Sequence, residues 1–388
     1  MALTTQPKFR TVAALLEEMI TAREWAAGHK LPSVRAIAQK YDVALATAAR
    51  ALEVLHGKGL IRPNERSGAY RVADPAASAA PPDHWAACLR VTPGPWQEAS
   101  LAVTAAGFRE LAQAPGVRLD FDTVPTDLAL PAAALRQKVR QARERGVGGL
   151  FFLPSRLNET LLAEDERLLA ACRECGLPVV LIERNLRGEH RPLEWDLVCP
   201  DDLDGGFRCA MHLLENGRTR LAFVRGAPSS SHNDQLAGFL LAHFQARQRD
   251  LLPDGHPFPP TLDYAEGSPS KEAYRALCDR ILAEGIDGVV CYHDRAVIGL
   301  AIELLARGRR VPDDVAFTGF DDQHIGQAFA IGVTTYAYPG REIAARAAQV
   351  MRQRIKDPAA PPVKVLVPSR LIVRESSGGA TAGRAPGD

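Results

Sequence analysis

The sequence predicts an α/β protein in two parts: an N-terminal winged helix-turn-helix, then a two-lobed α/β unit with parallel sheets and helices on both faces. Three observations carry this. Residues 31–72 read as two short helices, a tight turn and a hairpin. From Ala86 onward, short apolar runs alternate with amphipathic stretches, and repeated strand, helix, strand units imply parallel sheets with right-handed crossovers. Between the two patterns, Ala73 to Pro82 holds three prolines and no apolar periodicity, as an extended linker does. The expected domains are residues 1–72, a linker over 73–84, the larger unit over 85–377 and a flexible tail over 378–388.

A first helix follows from Phe9, Val12, Leu15, Leu16, Met19 and Ile20, which recur at helical spacing and would pack under the next two. Ser33 is a good N-cap for a second helix with Val34, Ile37, Ala38 and Tyr41 on its inner face. Asp42-Val43 makes the turn. The third helix carries Leu45, Ala48, Ala49, Leu52 and Leu55 on one face, Thr47 and Arg50 on the other, and stop signals at Gly57 and Gly59. Leu60 to Arg62 and Ala69 to Val72 then flank Asn64 to Gly68 as the arms of a wing. Two helices crossing at a short turn let the second enter a major groove, while Arg62, Arg66 and Arg71 can lie along the adjacent backbone or minor groove. On spacing alone, a small helical packing module with a solvated basic edge is an equal reading.

In the larger part the strand candidates are ACLRV, LDFDTV, GGLFFL, PVVLIE, LAFVRG, DGVVCY, VAFTGF and VLVPSRLIV. Helical segments over 101–112, 131–145, 161–175, 205–216, 235–248, 271–283, 296–306 and 342–355 lie between most of them. Nearly 300 residues of this pattern suggest two lobes, and such sheets bind ligands at the carboxyl ends of their strands.

The 388 residues, 46% hydrophobic and 24% charged, are ordinary for a globular protein and too many for one small domain. The net charge of +1 hides an asymmetry: 11 Lys+Arg against 6 Asp+Glu lie in residues 1–72, and 36 against 40 follow. That is a modest basic footprint where nucleic acid would bind. A positive n-region with an apolar run is missing from the N-terminus, and no apolar stretch approaches the roughly 20 residues that span a bilayer, so the expectation is a cytoplasmic protein without a membrane partner. Seven scattered cysteines do not form a secreted disulfide framework. Cys172-x-x-Cys175 has no second Cys or His pair at ligand spacing and reads as structural, so no metal or cofactor is expected. The enzyme motifs GxxxxGKS, HExxH and GxSxG are all missing, which argues against catalysis.

Two stretches sharpen this into families. LPSVRAIA, a valine turn, TAARAL and GLI followed by a wing are similar to the winged helix of the GntR family of bacterial regulators. The resemblance implies that Arg35, together with Arg50 or Thr47, faces DNA. Where that family usually has Ser-Arg at the head of the recognition helix, this chain has Ala44-Leu45, and a customary Arg is replaced by Ala49. Ala44 and Ala46 could meet thymine methyl groups. Downstream, VGGLFFLPS, PVVLIERN, DLVCPDDLDGGF, DGVVCYHDRAVIGLAIELL, VAFTGFDD, GVTTYAYPG and VPSRLIVRESS occur in the order seen in the LacI family and resemble its periplasmic-binding-protein-like effector domain. The resemblance implies two lobes joined by three strand crossovers, a small-molecule site between them, and dimerisation through this domain. LacI-family repressors order a short hinge helix on DNA, whereas prolines lacking an amide stand here, so a hinge-helix switch is not expected.

Carried over residue by residue, Asp321 takes the first acidic position of GFDD, where the family accepts hydrogen bonds from effector hydroxyls. His293 stands where the family often has Asn before Asp294. Gln235 replaces a common Arg, which removes a bidentate charged donor, so the effector is either less acidic or held differently. Trp96, after the first strand, could stack on a sugar or a base; Ser155 and Arg156 follow GGLFFLP as further candidates. The expected function is an effector-responsive transcription regulator, a repressor, acting as a homodimer on a palindromic double-stranded operator and sensing a sugar or related small polar metabolite. The alternative is a solute-binding protein or an enzyme of the same fold without regulatory DNA binding.

Overall fold

Three-helix packing closed by a short hairpin makes the first of two units, residues 1–82, and the second spans 83–388. The computed structural model describes residues 8–22, 24–26, 29–57, 60–63, 69–72, 83–89, 99–121, 130–155, 159–187, 191–226, 229–264 and 270–378. The linker expected over 73–84 lies outside them up to residue 82, and so does the tail beyond 378.

In the first unit α1 (Lys8–Thr21), α2 (Val34–Lys40) and α3 (Leu45–Gly57) precede β1 (Ile61–Pro63) and β2 (Tyr70–Val72), which pair antiparallel. The Ser33 hydroxyl caps α2 by accepting the Ala36 N–H at 3.2 Å, and Asp42 makes the turn at φ +48°. Val12, Leu16, Leu31, Ile37, Ala48, Leu52, Leu55, Ile61 and Val72 form the core. Residues ahead of α2 join the hairpin, with Leu31 N–H donating to the Tyr70 carbonyl and Val72 N–H to that of His29, each at 2.9 Å. Two residues assigned to the inner stripe are exposed instead: Leu15 at 42% and Leu45 at 53%. Ala13 and Ala51 take the buried places, since each helix meets its neighbours over a narrower stripe than the spacing allows.

Among the described residues the second unit holds two six-stranded sheets. The amino-terminal lobe is built from β3 (Asp83–Cys88), α4 (Ala99–Leu111), β4 (Val117–Asp120), α5 (Ala132–Glu144), β5 (Gly149–Phe152), α6 (Glu159–Glu174), β6 (Val179–Ile182) and β7 (Asp196–Pro200). The chain then crosses through α7 (Asp202–Glu215) into β8 (Leu221–Val224), α8 (Ser230–Gln248), β9 (Thr261–Leu262), α9 (Lys271–Ala283), β10 (Gly288–Cys291), α10 (Asp294–Ala306), β11 (Ala316–Asp321), α11 (His324–Ala328) and β12 (Thr334–Ala337). It returns through α12 (Gly340–Lys356) to β13 (Lys364–Val367) and crosses again to β14 (Leu371–Ile372). The strand orders are β13-β7-β6-β5-β3-β4 and β14-β12-β11-β10-β8-β9, all pairs parallel except β12 with β14. Three crossovers therefore join the lobes, as the LacI resemblance implies.

Alternation explains the first sheet. Ala86, Cys88, Leu150, Phe152, Val179 and Leu181 fill one face, while Trp85, Ala87, Phe151, Val180 and Ile182 fill the other. Corrections fall on the strands. VLVPSRLIV is not one strand but two, split after Val367 and shared between the lobes, because proline cannot continue the ladder. The first strand begins at Asp83, two residues inside the expected linker, and the LDFDTV strand is displaced to Val117–Asp120. β7 and β12, which no expectation included, are the strands that feed the first two crossovers.

Candidate functional site

Both sheets present their carboxyl ends to the region between the lobes. β11 ends on Asp321 at φ +92° with Asp322 at +50°, and two successive side chains outside the usual backbone regions turn the chain sharply at this edge. Their carboxylates are drawn apart: Gln323 Nε2 donates to Asp321 Oδ2 at 3.2 Å, while Arg374 Nη2 donates to Asp322 Oδ1 at 2.6 Å. Asp294 is fully buried and accepts the Gln323 N–H at 2.8 Å, so it holds the loop beneath Asp321. His293 caps α10, its Nδ1 accepting the Ala296 N–H at 3.0 Å, which leaves Nε2 as the donor of the neutral ring. That ring lies over Tyr292 with centroids 3.9 Å apart, and Tyr292 meets His232 edge-on at 5.0 Å.

Gln235 is buried in α8, and its Nε2 donates to Asp202 Oδ1, at the start of α7, at 3.1 Å. Glycines allow this. A Cβ on Gly206 would strike the Gln235 carbonyl, and one on Gly238 the Leu203 carbonyl, so the two helices touch backbone to backbone. Burial pushes the Asp202 carboxyl well up, the Gln235 hydrogen bond opposes it, and Glu183, Asp234 and Asp321 add to the rise. Gln235 Oε1 is buried with no hydrogen-bond partner among the described residues.

From the other lobe, Glu183 at φ +70° and Arg184 follow β6, both buried and paired with each other, and Arg184 Nη1 donates to the Pro154 carbonyl at 3.2 Å. Tyr338, on the second crossover, donates to Glu183 Oε2 at 3.4 Å and accepts from Thr104 Oγ1 at 2.8 Å. Ser155 is held by Asp165, which accepts its N–H at 2.6 Å. Two ties cross between lobes at the first turns of α8: Asn185 N–H to Ser230 Oγ and Lys364 Nζ to Asp234 Oδ2, each 2.8 Å.

Of the residues the sequence singled out, Gln235 and Asp321 are brought to the same carboxyl cluster, His293 sits at the neighbouring strand end, and Ser155 lies on the facing lobe beside the carbonyl that Arg184 holds. Trp96 and Arg156 lie outside the described residues. Glu183, Arg184, Asp202 and Tyr338 were missed. The acid-base pair in LIERN, directly after an apolar strand, was the available signal. Among the described residues no three His, Cys, Asp or Glu side chains gather as a metal-binding group, and Cys172 is buried with its thiol pushed up by desolvation.

In the first unit, Arg35 is exposed near the start of α2, Thr47 is half-buried, and Arg50 is exposed with its guanidinium 5.2 Å from the Phe9 ring centroid. Arg62 pairs with Arg71 through the hairpin backbone; the side chain of Arg62 and all of Arg66 lie outside the described residues.

Comparison with known proteins gives the context. The curated relatives include the HTH-type transcriptional repressor PurR of Aliivibrio salmonicida, 27% identical over 223 residues, covering 56% of this chain and 61% of that protein. The HTH-type transcriptional regulator CelR of Thermobifida fusca is 29% identical over 219 residues, 55% and 61% of the two chains. The arabinose metabolism transcriptional repressor of Geobacillus stearothermophilus is 28% identical over 194 residues, 47% and 50%. The chain thus spans about three fifths or less of the length of these relatives. Among solved structures, a LacI family transcriptional regulator from Enterococcus faecium with bound ribose aligns at TM-score 0.55 and 19% identity over 77% of this chain and 100% of that one. A CelR-cellobiose complex aligns at 0.56 and 20% over 89% and 100%. These likenesses show the fold. Residues 8–70 match the model of bacterial regulatory proteins, gntR family, and residues 210–377 that of the periplasmic binding protein-like domain, so this chain joins a gntR-type helix-turn-helix to a periplasmic-binding-protein-like α/β domain.

Proposed function

We propose that this protein is a cytoplasmic transcription regulator, a repressor rather than an enzyme, in which a polar effector bound between the lobes changes how the winged helix holds DNA. One observation carries the reading: a winged helix and a two-lobed domain whose strand ends converge on Asp321, Gln235 and Asp202 lie in one chain. The relatives are named as transcriptional repressors and regulators, and two similar structures hold ribose and cellobiose.

The chemistry at the strand ends favours an uncharged, hydroxyl-rich effector such as a sugar. Burial holds Asp202 and Asp294 toward their neutral forms and Arg184 is committed to Glu183, so the strand ends offer hydrogen-bonding oxygen atoms, Asp321 foremost, rather than a cation to pair with a phosphate or carboxylate. Hydroxyl groups can donate to Asp321 and receive a bond from His293 Nε2. The reading includes a homodimer on a palindromic operator. It is supported by Ile302 and Leu305 on α10 and Ile325 on α11, apolar side chains exposed at 54%, 44% and 50%.

Thermal-shift screening of the whole chain against neutral sugars, sugar phosphates and nucleobases tests the effector class. The expected result is a stabilising neutral sugar, recovered unchanged, that alters the affinity for a duplex selected by the protein. Turnover of the compound, or a selected duplex whose binding ignores every stabilising compound, removes the reading.

A further inference from the structure

We infer that the recognition helix reads base sequence through apolar contact: Leu45, flanked by Ala44 and Ala46, meets thymine methyl groups in the major groove. This rests on the DNA-binding reading above. By spacing, Leu45 should continue the inner stripe of Ala48, Leu52 and Leu55, yet it is 53% exposed while those three are at most 1% exposed. The core ends one turn short of the tip of α3, and the tip is left bare. Ala44 and Ala46 beside it are exposed too.

A single exposed leucine is ordinary, but three consecutive exposed apolar residues at the leading end of this helix leave its tip without a hydrogen-bonding side chain. Thr47, the first polar residue of the helix, is half-buried, and Arg50 is drawn toward the Phe9 ring of α1. A tip of this chemistry has one complementary group on the major-groove edges of bases: the C5-methyl of thymine. Charged residues elsewhere, Arg35 among them, would supply phosphate contact without sequence information.

The experiment selects duplexes from a random-core pool with the full-length protein, sequences them, and compares the best duplex with the same duplex in which deoxyuridine replaces thymine. That exchange removes the methyl groups and keeps every Watson–Crick bond. Each buried methyl contributes about fourfold in affinity, so loss of one or two should weaken binding by roughly four- to fifteenfold. Leu45→Ala should shrink that penalty several-fold, and because the side chain is exposed, the variant's melting temperature should match the parent's. Equal binding of the thymine and uracil duplexes overturns the inference and leaves the DNA-binding reading standing, as does a full penalty in Leu45→Ala. Failure to enrich any sequence overturns both.

Discussion

Gln235 Nε2 donates to the buried carboxyl of Asp202 across 3.1 Å, and this bond joins two helices of the second unit that touch backbone to backbone. A neutral amide stands against an acid whose ionisation burial opposes. The unfolded carboxyl releases its proton near pH 3.9, whereas the folded one holds it to higher pH. Above about pH 4 the unfolded chain therefore binds fewer protons than the folded one, and Asp202 withdraws stability as pH rises toward its folded pKa. Asp202→Asn keeps the acceptor and removes the proton. Its melting temperature should exceed the parent's at pH 7.5, with the gap closing below pH 4; a variant less stable at both ends would show that the carboxylate itself is needed.

The glycine contacts yield a second expectation. Gly206→Ala and Gly238→Ala each force a methyl group into a facing carbonyl, so each should destabilise by about 1 to 3 kcal/mol, as overpacking does. Chemical denaturation monitored by circular dichroism reads this directly, and Gly217→Ala is no control because its φ is +80°. If both variants melt like the parent, the helices can part at little cost and Gln235 is not held as described.

Asp321→Ala should cost effector affinity on the order of 2 kcal/mol, about thirtyfold, through lost charge-assisted bonds and unpaired hydroxyls. DNA binding without effector should be retained. Calorimetry with the sugar found by screening, and fluorescence anisotropy on the selected duplex, make the comparison. Undiminished calorimetric affinity in the folded variant would take Asp321 out of the site.

His243 offers a test of pH response away from the cleft. Its ring is buried with both nitrogens lacking partners among the described residues, and burial lowers its pKa, helped by His256 and Arg247. The unfolded imidazole protonates near pH 6.5 while the folded one stays neutral to lower pH, so stability from this group is present above that value and falls away as the solution is acidified. His243→Phe should lose less melting temperature than the parent between pH 7.5 and 5. Parallel losses would assign the acid sensitivity to other groups.

Most of the fold was legible because its strands are continuous apolar runs between turn signals. β7 and β12 escaped for a physical reason: in β7 the buried Asp196 is satisfied by Arg354, and in β12 Thr334 and Thr335 are fully buried, Thr334 being satisfied by the Arg374 carbonyl and the Ser377 hydroxyl, all partners distant in sequence. Local pattern does not reveal such distant satisfaction. Leu15 and Leu45 show the opposite error, since periodicity marks the face of a helix and not where its contacts stop. At the site, Asp321, His293 and Gln235 came through resemblance. Asp202 was hidden by its place in a crossover, and Glu183 by reading as the last residue of a strand.

The threefold passage between lobes also dictates an order of assembly during synthesis. Ile343, Ala344, Ala347 and Met351 of α12 are buried beside Trp85, Phe108 and Phe151, so a nascent chain extruded as far as β12 still lacks one wall of its amino-terminal lobe. The other lobe waits longer, because the buried Ser376 hydroxyl donates to the Phe317 carbonyl and accepts the Thr334 N–H at 2.8 and 2.9 Å. The amino-terminal lobe therefore lacks part of its sheet until β13 has emerged, and the other lacks these bonds until about residue 376. Their apolar strands stay open to chaperones, or to one another, until then.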